Sequence, residues 1–327
     1  MKNNVNKISI VIPVYNEMES IEELNSNIIT TFSNLNSKNN DFYEFEIIYV
    51  NDGSHDKSLN ILNRLARNND NITVIDFIRN YGQTAAMSAG FDQAKGDIIV
   101  PMDGDLQNDP DDIFNLVQKI KEGFDVVSGW RKDRKDKGMS RILPSKIANY
   151  LISKISGVQL HDYGCSLKAY KKDLIKDVNL YGEMHRFIPI YIAWQGGSVA
   201  EIVVKHNPRK YGETKYGINR TTKVIADILL LKYIENYSTN PIHLFGGLAL
   251  ANFFLSFVGI ILMIYFKYWG NKSFIETPLP QVVVLLLLTG ILALFMGFIA
   301  EILMRTYFET QHKKPYKIRN ILKSSTN

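Results

Sequence analysis

Short apolar runs alternate with amphipathic stretches along the first two thirds of the chain. Residues 8–14 form an apolar, β-branched run, which predicts a buried strand. Residues 17–32 follow with Ile21, Leu24, Ile28 and Phe32 at helical spacing. The pattern repeats, with strands predicted at 45–50, 72–77, 98–102 and 126–128, and helices at 58–65, 83–94 and 110–121. Asp109 is placed as N-cap of the last of these helices, with Pro110 at its first position. Such alternation predicts an α/β fold, a doubly wound and mostly parallel sheet.

The pattern then changes. Residues 236–266 carry no Asp, Glu, Lys or Arg over 31 positions, and 277–300 carry none over 24. A helix needs about 20 apolar residues to cross a bilayer core. Two spans are expected, at about 241–266 and 279–303, forming a C-terminal hairpin within 238–304. A pair of buried core helices is the plainer alternative, but such helices rarely run so long without a charge. Residues 8–14 are too short an apolar run for a signal peptide. The tail at 305–327 carries Arg305, Lys313, Lys314, Lys317, Arg319 and Lys323 against the single acid Glu309. The hairpin between the spans carries only Lys267 and Lys272 as cations. The positive-inside tendency therefore puts the tail in the cytoplasm, and two spans return the chain to the side on which residues 1–215 lie. The protein is expected in the cytoplasmic membrane, crossing it more than once. Residues 216–237 read as an amphipathic helix, with Ile218, Val224, Ile225, Ile228, Leu229, Leu231 and Tyr233 on its apolar face. It either lies on the membrane surface or packs on a core.

Composition adds limits. The chain has 327 residues, 46% hydrophobic and 22% charged, with mean hydropathy −0.10. This excludes a wholly disordered chain and one built of membrane spans throughout. Cys165 is the sole cysteine, so no internal disulfide and no multi-cysteine zinc site can form. A net charge of +5 does not by itself argue for nucleic acid, and no nucleic-acid partner is expected.

In doubly wound sheets ligands bind beyond the carboxyl ends of the strands. Here those ends read Pro13-Val14-Tyr15-Asn16-Glu17, Asn51-Asp52-Gly53-Ser54 and Asp103-Gly104-Asp105-Leu106-Gln107. Helix capping accounts for single members, Asn16 and Asp109 first, and Asp52 or Ser54 as well. It accounts poorly for the set. Asp103 and Asp105 repel each other unless a cation sits between them. Hard oxygen ligands at this spacing suit Mg2+ or Mn2+ carrying a diphosphate, and Gln107 can add a neutral oxygen. No G-x-G-x-x-G follows the first strand and no phosphate-binding P-loop occurs, so a dinucleotide or ATP site is not supported. His55, His185 and His206 lack partners at metal-ligand spacing. His243 and Asn252 fall near or inside the first span, where a helix interface would satisfy either.

The segments IVIPVYNE (10–17), VNDGSHD (50–56), RNYGQTAAMSAG (79–90), DIIVPMDGDLQNDP (97–110), VSGWRKDR (127–134), HDYGCSLKAYKK (161–172) and RKYGETKYGINR (209–220) occur in order. They resemble family-2 glycosyltransferases of GT-A fold. More narrowly they resemble the polyprenyl-phosphate glycosyltransferases: dolichol-phosphate mannose synthases, bactoprenol glucosyltransferases and the undecaprenyl-phosphate aminoarabinose transferase. The resemblance implies a nucleotide-sugar donor, UDP-linked, and a polyprenyl-phosphate acceptor, undecaprenyl phosphate in a bacterial source. It implies that Pro13, Tyr15, Glu17, Asp52, Asn80, Gly82, Gln83 and Asp103 hold the donor. It implies that Asp103, Asp105 and Gln107 hold the metal. Arg131 and Arg134 match the family's phosphate-binding arginines, with Arg141 as an addition. Arg209 and Lys215 match the Arg-x-x-Gly-x-Ser-Lys segment, in which Thr214 replaces Ser and keeps the hydroxyl. Many bactoprenol glucosyltransferases have Gly-Asp-Phe where this chain has Gly164-Cys165-Ser166, and the aminoarabinose branch shares its Tyr-Gly-Cys. Asp162 is then the remaining acid, as a base or as an orienting group. Asp105, Arg131 and Asp162 are the candidate catalytic residues.

The implied reaction is a single inverting displacement that gives a polyprenyl-phosphate-linked monosaccharide for the cell envelope. Its sugar and the oligomeric state of the enzyme are left open by the sequence. A processive polysaccharide synthase would carry a Gln-x-x-Arg-Trp motif and further spans, and neither is present. A non-catalytic nucleotide-sugar-binding module would be expected to have lost part of the set Asp52, Asp103 and Asp105, which is intact. A transporter pathway cannot be formed by two spans alone.

Overall fold

The computed structural model describes residues 7–38, 43–133, 139–176, 178, 180, 184–211, 241–270, 273–309 and 318–323. The chain divides into two compact units, residues 1–228 with 314–327, and residues 229–313.

The first unit is a three-layer α/β fold. Its strands are β1 (Lys7–Val14), β2 (Glu44–Asn51), β3 (Ile72–Phe77), β4 (Ile98–Pro101), β5 (Val126–Trp130), β6 (Lys168–Lys171), β7 (Val199–Val203) and β8 (Ile318–Lys323). They form one sheet in the order β7-β5-β6-β4-β1-β2-β3-β8. The pairs β1–β2, β1–β4, β2–β3 and β5–β7 are parallel. β6 enters antiparallel between β4 and β5, and β8 runs antiparallel along β3. The five strands read from the apolar runs are all present within two residues of their expected bounds.

β1 shows why those runs are uninterrupted. Ile8, Ile10, Ile12 and Val14 pack on one face against Ile21, Leu24, Ile28 and Phe32 of α1 (Ile21–Lys38) and Leu62 of α2 (Ser58–Asn68). That layer also takes Ile113, Leu116 and Val117 of α4 (Asp112–Lys121). Val11 faces the opposite layer, with Ala86, Met87, Ala89 and Phe91 of α3 (Gln83–Gln93) and Ile188 and Ile192 of α7 (Ile188–Trp194). A strand covered on both faces reads as a nearly continuous apolar run, and the buried exception in β1, Ser9, gives its hydroxyl to Glu46 at 2.6 Å. Each apolar side chain contributes about 1.5–3 kcal/mol when fully buried. Helices α5 (Met139–Ser156) and α6 (Lys172–Lys176) complete the unit.

Two expected caps are absent. Asn16 is not a helix cap, because α1 begins at Ile21. Asn16 instead adopts φ 51° and its Oδ1 accepts the His55 N–H at 2.8 Å. Nor does Asp109 cap α4. Its carboxylate accepts the Asp111 N–H at 3.0 Å, an Asx turn one residue ahead of the helix proper.

The second unit is a hairpin of α8 (Pro241–Tyr268) and α9 (Leu279–Glu309). Both are long and apolar enough to cross a membrane. Most of their apolar side chains face outward, as core helices do not. Asn252 lies at the helix interface, its Oδ1 3.1 Å from the Thr289 hydroxyl and its Nδ2 donating to the Leu248 carbonyl of its own helix at 2.8 Å. A Cβ on Gly259 would lie 2.7 Å from Val283, so glycine sets the close approach of the pair. Residues 216–237 lie outside the described residues.

Candidate active site

The carboxyl ends of β1, β2, β4 and β5 form one rim, and the polar strand-end residues gather there. The rim is first shaped by backbone. Asp52 follows β2, and its two oxygens accept the N–H groups of Tyr81 at 2.6 Å and Gly82 at 2.9 Å. It thereby fixes the loop that enters α3, without capping the helix itself. Burial raises the Asp52 pKa, while the two N–H bonds oppose the rise. Gly53 makes this approach possible. Its φ is +68°, and a Cβ there would stand 2.4 Å from the Arg79 carbonyl carbon. The loop so held presents Gln83, whose Nε2 donates to Asp103 Oδ1 at 2.7 Å.

Asp103 receives a second bond on its other oxygen, from Ser166 Oγ at 2.6 Å. Burial and the neighbouring Asp105 charge push its pKa up, against the pull of Ser166, Arg131 and Lys168. Asp105 is paired differently. Arg209 Nη2 lies 2.6 Å from Asp105 Oδ2, and the Gln107 N–H donates to Oδ1 at 3.2 Å. Burial works against the Arg209 charge, but the Asp105 bond and charge outweigh it and hold the guanidinium above its ordinary range. Leu106, between Asp105 and Gln107, sits at φ 63°, a backbone region that costs a non-glycine residue roughly 1–2 kcal/mol.

The third pair is Arg131 with Asp162. Nε donates to Oδ2 at 2.7 Å and Nη2 to Oδ1 at 3.0 Å, a bidentate pair at the end of β5. Burial opposes the Arg131 charge, and Asp162 more than restores it, so the pKa is raised. Glu201 of β7 supports Asp162 from behind, accepting the N–H groups of His161 at 2.9 Å and Asp162 at 3.2 Å.

The sequence candidates therefore fall into sets. Gln83 with Asp103, Asp105 with Arg209, and Arg131 with Asp162 are brought together. Asp52 and Gly82 are joined through the backbone bond already described. Pro13 sits inside β1, Tyr15 lies edge-on to His55 at 6.4 Å, and Asn80 is exposed. Glu17 donates its N–H to Ser58 at 3.0 Å and lies close enough for its charge to act on Arg209. Arg134 and Lys215 lie outside the described residues, as does the side chain of Arg141. The sequence reading passed over Ser166, Lys168 and the bond of 2.6 Å between Thr84 and His185. Ser166 reaches Asp103 across 63 positions of chain, and no local pattern marks such a contact.

A mostly parallel α/β sheet with this polar rim, followed by two apolar spans, defines a membrane-attached glycosyltransferase of GT-A type. The family model for Glycosyl transferase family 2 matches residues 9–178. The chain belongs to that family of glycosyltransferases. It is 39% identical over 325 residues to a dodecaprenyl-phosphate galacturonate synthase of Rhizobium johnstonii, covering 96% of this chain and 93% of that one. It is 34% identical over 322 residues to an undecaprenyl-phosphate 4-deoxy-4-formamido-L-arabinose transferase of Shewanella sediminis, covering 98% and 93%. Glucosyl-3-phosphoglycerate synthase from Mycobacterium tuberculosis, solved with Mn2+ and uridine-diphosphate-glucose, superposes with TM-score 0.50 at 16% identity. That overlap covers 69% of this chain and 79% of the other, and the likeness is one of fold.

Proposed function

We propose that the protein transfers a sugar, with inversion, from a UDP-sugar to a membrane polyprenyl phosphate, undecaprenyl phosphate in a bacterial cell. The observation that carries this reading is the convergence of three charged sets on one rim. These are Asp103 held by Gln83, Asp105 facing Arg209, and Arg131 oriented by Asp162. Both named relatives bear polyprenyl-phosphate sugar transfer in their names, and this chain matches each nearly end to end.

The acceptor is a phosphate monoester, already anionic at neutral pH. Its oxygen needs no strong base to form a bond to the sugar's C1 as the bond from C1 to the diphosphate breaks. Both Asp162 oxygens are engaged by Arg131, which supports an orienting role for Asp162 and not that of a base. A guanidinium has five N–H donors. Asp162 takes two of those on Arg131, which leaves three to bind the acceptor phosphate. Arg209, with Arg134, Arg141 and Lys215, adds positive charge for bringing two anions together.

Asp103 and Asp105 are hard carboxylates that fit Mg2+ or Mn2+, with Gln107 beside them. Arg209 at 2.6 Å from Asp105 already marks that oxygen as a cation's place. Among the described residues no group of three or more His, Cys, Asp or Glu is gathered for a metal, so further ligands would come from the donor's diphosphate. When bound, the ion would neutralise charge on the leaving diphosphate.

The two apolar helices and the basic tail support a location in the cytoplasmic membrane, with residues 1–215 and the tail on the cytoplasmic side. Support for that arrangement comes from β8, whose pairing with β3 returns the tail to the α/β unit. The test is transfer of radiolabel from a panel of UDP- and GDP-sugars to undecaprenyl phosphate, using detergent-purified protein with Mg2+ or Mn2+. Lipid-linked product from one donor, lost in Asp105→Asn, is expected. Metal-dependent nucleotide binding without product from any donor would favour a binding module.

A further inference from the structure

Lys168 is a cation that the proposed transfer does not use, and it is almost wholly buried. Among the described residues no carboxylate lies within ion-pair distance of it. Its Nζ instead donates to two backbone carbonyls, that of Tyr163 at 3.2 Å and that of Cys165. Those carbonyls bracket Gly164, and Ser166 comes next. Burial pulls the Lys168 pKa down, against the neighbouring charges of Asp162 and Asp103. A lysine kept in such a place with only carbonyl partners is costly unless it holds something in position.

What it holds is the turn at residues 163–166. A Cβ at Gly164 would stand 3.4 Å from Arg131 Nη2 and 3.5 Å from Asp162 Oδ1, so the turn lies directly on the Arg131–Asp162 pair. At its end Ser166 Oγ is 2.6 Å from Asp103 Oδ2 and 3.3 Å from Asn108 Oδ1. A hydroxyl has one proton to give, and the shorter contact goes to the carboxylate. With Gln83 on Oδ1, both oxygens of Asp103 are then oriented by donors from separate parts of the chain, α3 and the turn that precedes β6. A carboxylate held at both oxygens keeps one rotamer.

We propose that Ser166 is a positioning residue for Asp103, and that Lys168, through the carbonyls of Tyr163 and Cys165, sets the turn that presents it. The inference rests on the proposed reading of Asp103 as part of the donor site.

The experiment measures binding of Mn2+–UDP to the detergent-purified full-length protein by calorimetry, beside donor KM, kcat and the melting temperature. Ser166→Ala is expected to weaken Mn2+–UDP binding and raise donor KM by about tenfold or more, the effect of losing one hydrogen bond to a charged group. Ser166→Thr keeps the hydroxyl and is expected to stay within about threefold of the parent. The melting temperature of Ser166→Ala should fall by no more than a few degrees, since Asp103 Oδ2 loses one hydrogen bond while Gln83 stays on Oδ1. Lys168→Met should weaken binding as Ser166→Ala does, and the double variant should be no worse than Lys168→Met alone, because both act through one contact. Lys168→Arg, which keeps the donors, covers the case in which Lys168→Met fails to fold, and it should bind more tightly than Ser166→Ala. Parent-like binding by Ser166→Ala, or equal loss in the Ala and Thr variants, would overturn the assignment. Absence of Mn2+–UDP binding by the parent protein would overturn the functional reading, and this inference with it.

Discussion

The pairing of Arg131 with Asp162 puts two opposite charges where only 14% and 4% of the side chains are exposed. Burying such a pair is close to neutral in net stability, but removing one partner leaves an uncompensated buried charge. Asp162→Asn and Arg131→Met should each therefore cost roughly 3 kcal/mol. The double variant should cost far less than their sum, since no lone charge remains in it. Thermal unfolding of all four proteins in one detergent measures this, and additive losses would show the pair to be solvated. At this scale Asp52, Asp103 and Asp105 were legible because each stands within three residues of an apolar run, whereas Asp162 came from resemblance. The partners of these acids were not legible. Arg131 and Asp162 are 31 positions apart, and Arg209 and Asp105 are 104 apart. Resemblance supplied the arginines, and local pattern supplied neither their partners nor the hydroxyl of Ser166.

Among the elements, the strands that escaped the sequence reading are the short or edge ones. β6 is KAYK, four residues with lysine at both ends, and β7 is VAEIV, half-exposed beside β5 alone. Neither shows the apolar run of a strand covered on both faces. α1 begins four residues later than its periodicity suggests, because residues 16–18 are spent on bonds to the next loop. The N–H groups of Asn16, Glu17 and Met18 reach Ser54, Ser58 and Asp56. Asp125, just ahead of β5, fastens the same missed strands. It accepts from Lys171 Nζ at 2.7 Å and from the Ser198 N–H and hydroxyl at 2.8 and 2.9 Å. Burial works against the Asp125 charge, but Lys171 and Ser198 outweigh it and lower the pKa below the ordinary 3.8. The unfolded chain then binds the proton more readily than the folded one. This stabilisation is present above that ordinary value and is lost as pH falls through the lowered one. Asp125→Asn should melt at a lower temperature than the parent at neutral pH, and the gap should narrow as pH falls below 3.8. A gap that stays constant with pH would mean that the carboxylate's charge contributes nothing there.

For the molecule as a whole, connectivity limits the topology. The chain leaves the α/β unit before α8, passes through two apolar helices, and returns as β8 against β3. If both helices cross the bilayer, the sheet and the tail share one side, and residues 269–278 lie on the other. The two long apolar helices were legible because length and lack of charge mark them without any tertiary partner. The tail strand was not, because its pattern is a pairing preference whose partner lies 250 residues earlier, as in the register of Thr73 with Lys323. Cysteine labelling tests the arrangement, since the native chain brings little background. Cys165 is wholly buried and its thiol is pushed up to about 11, chiefly by burial. At neutral pH only about one molecule in ten thousand would carry the reactive thiolate. Ile275, at 94% exposure between the two helices, is expected to react as Ile275→Cys with a membrane-impermeant maleimide added to intact cells. Met18→Cys, on the exposed start of the α/β unit, should react only after the membrane is opened, and the parent protein in neither case. Labelling of Met18→Cys from outside would reverse the proposed orientation, and labelling of both variants from one side would show that the helices do not span.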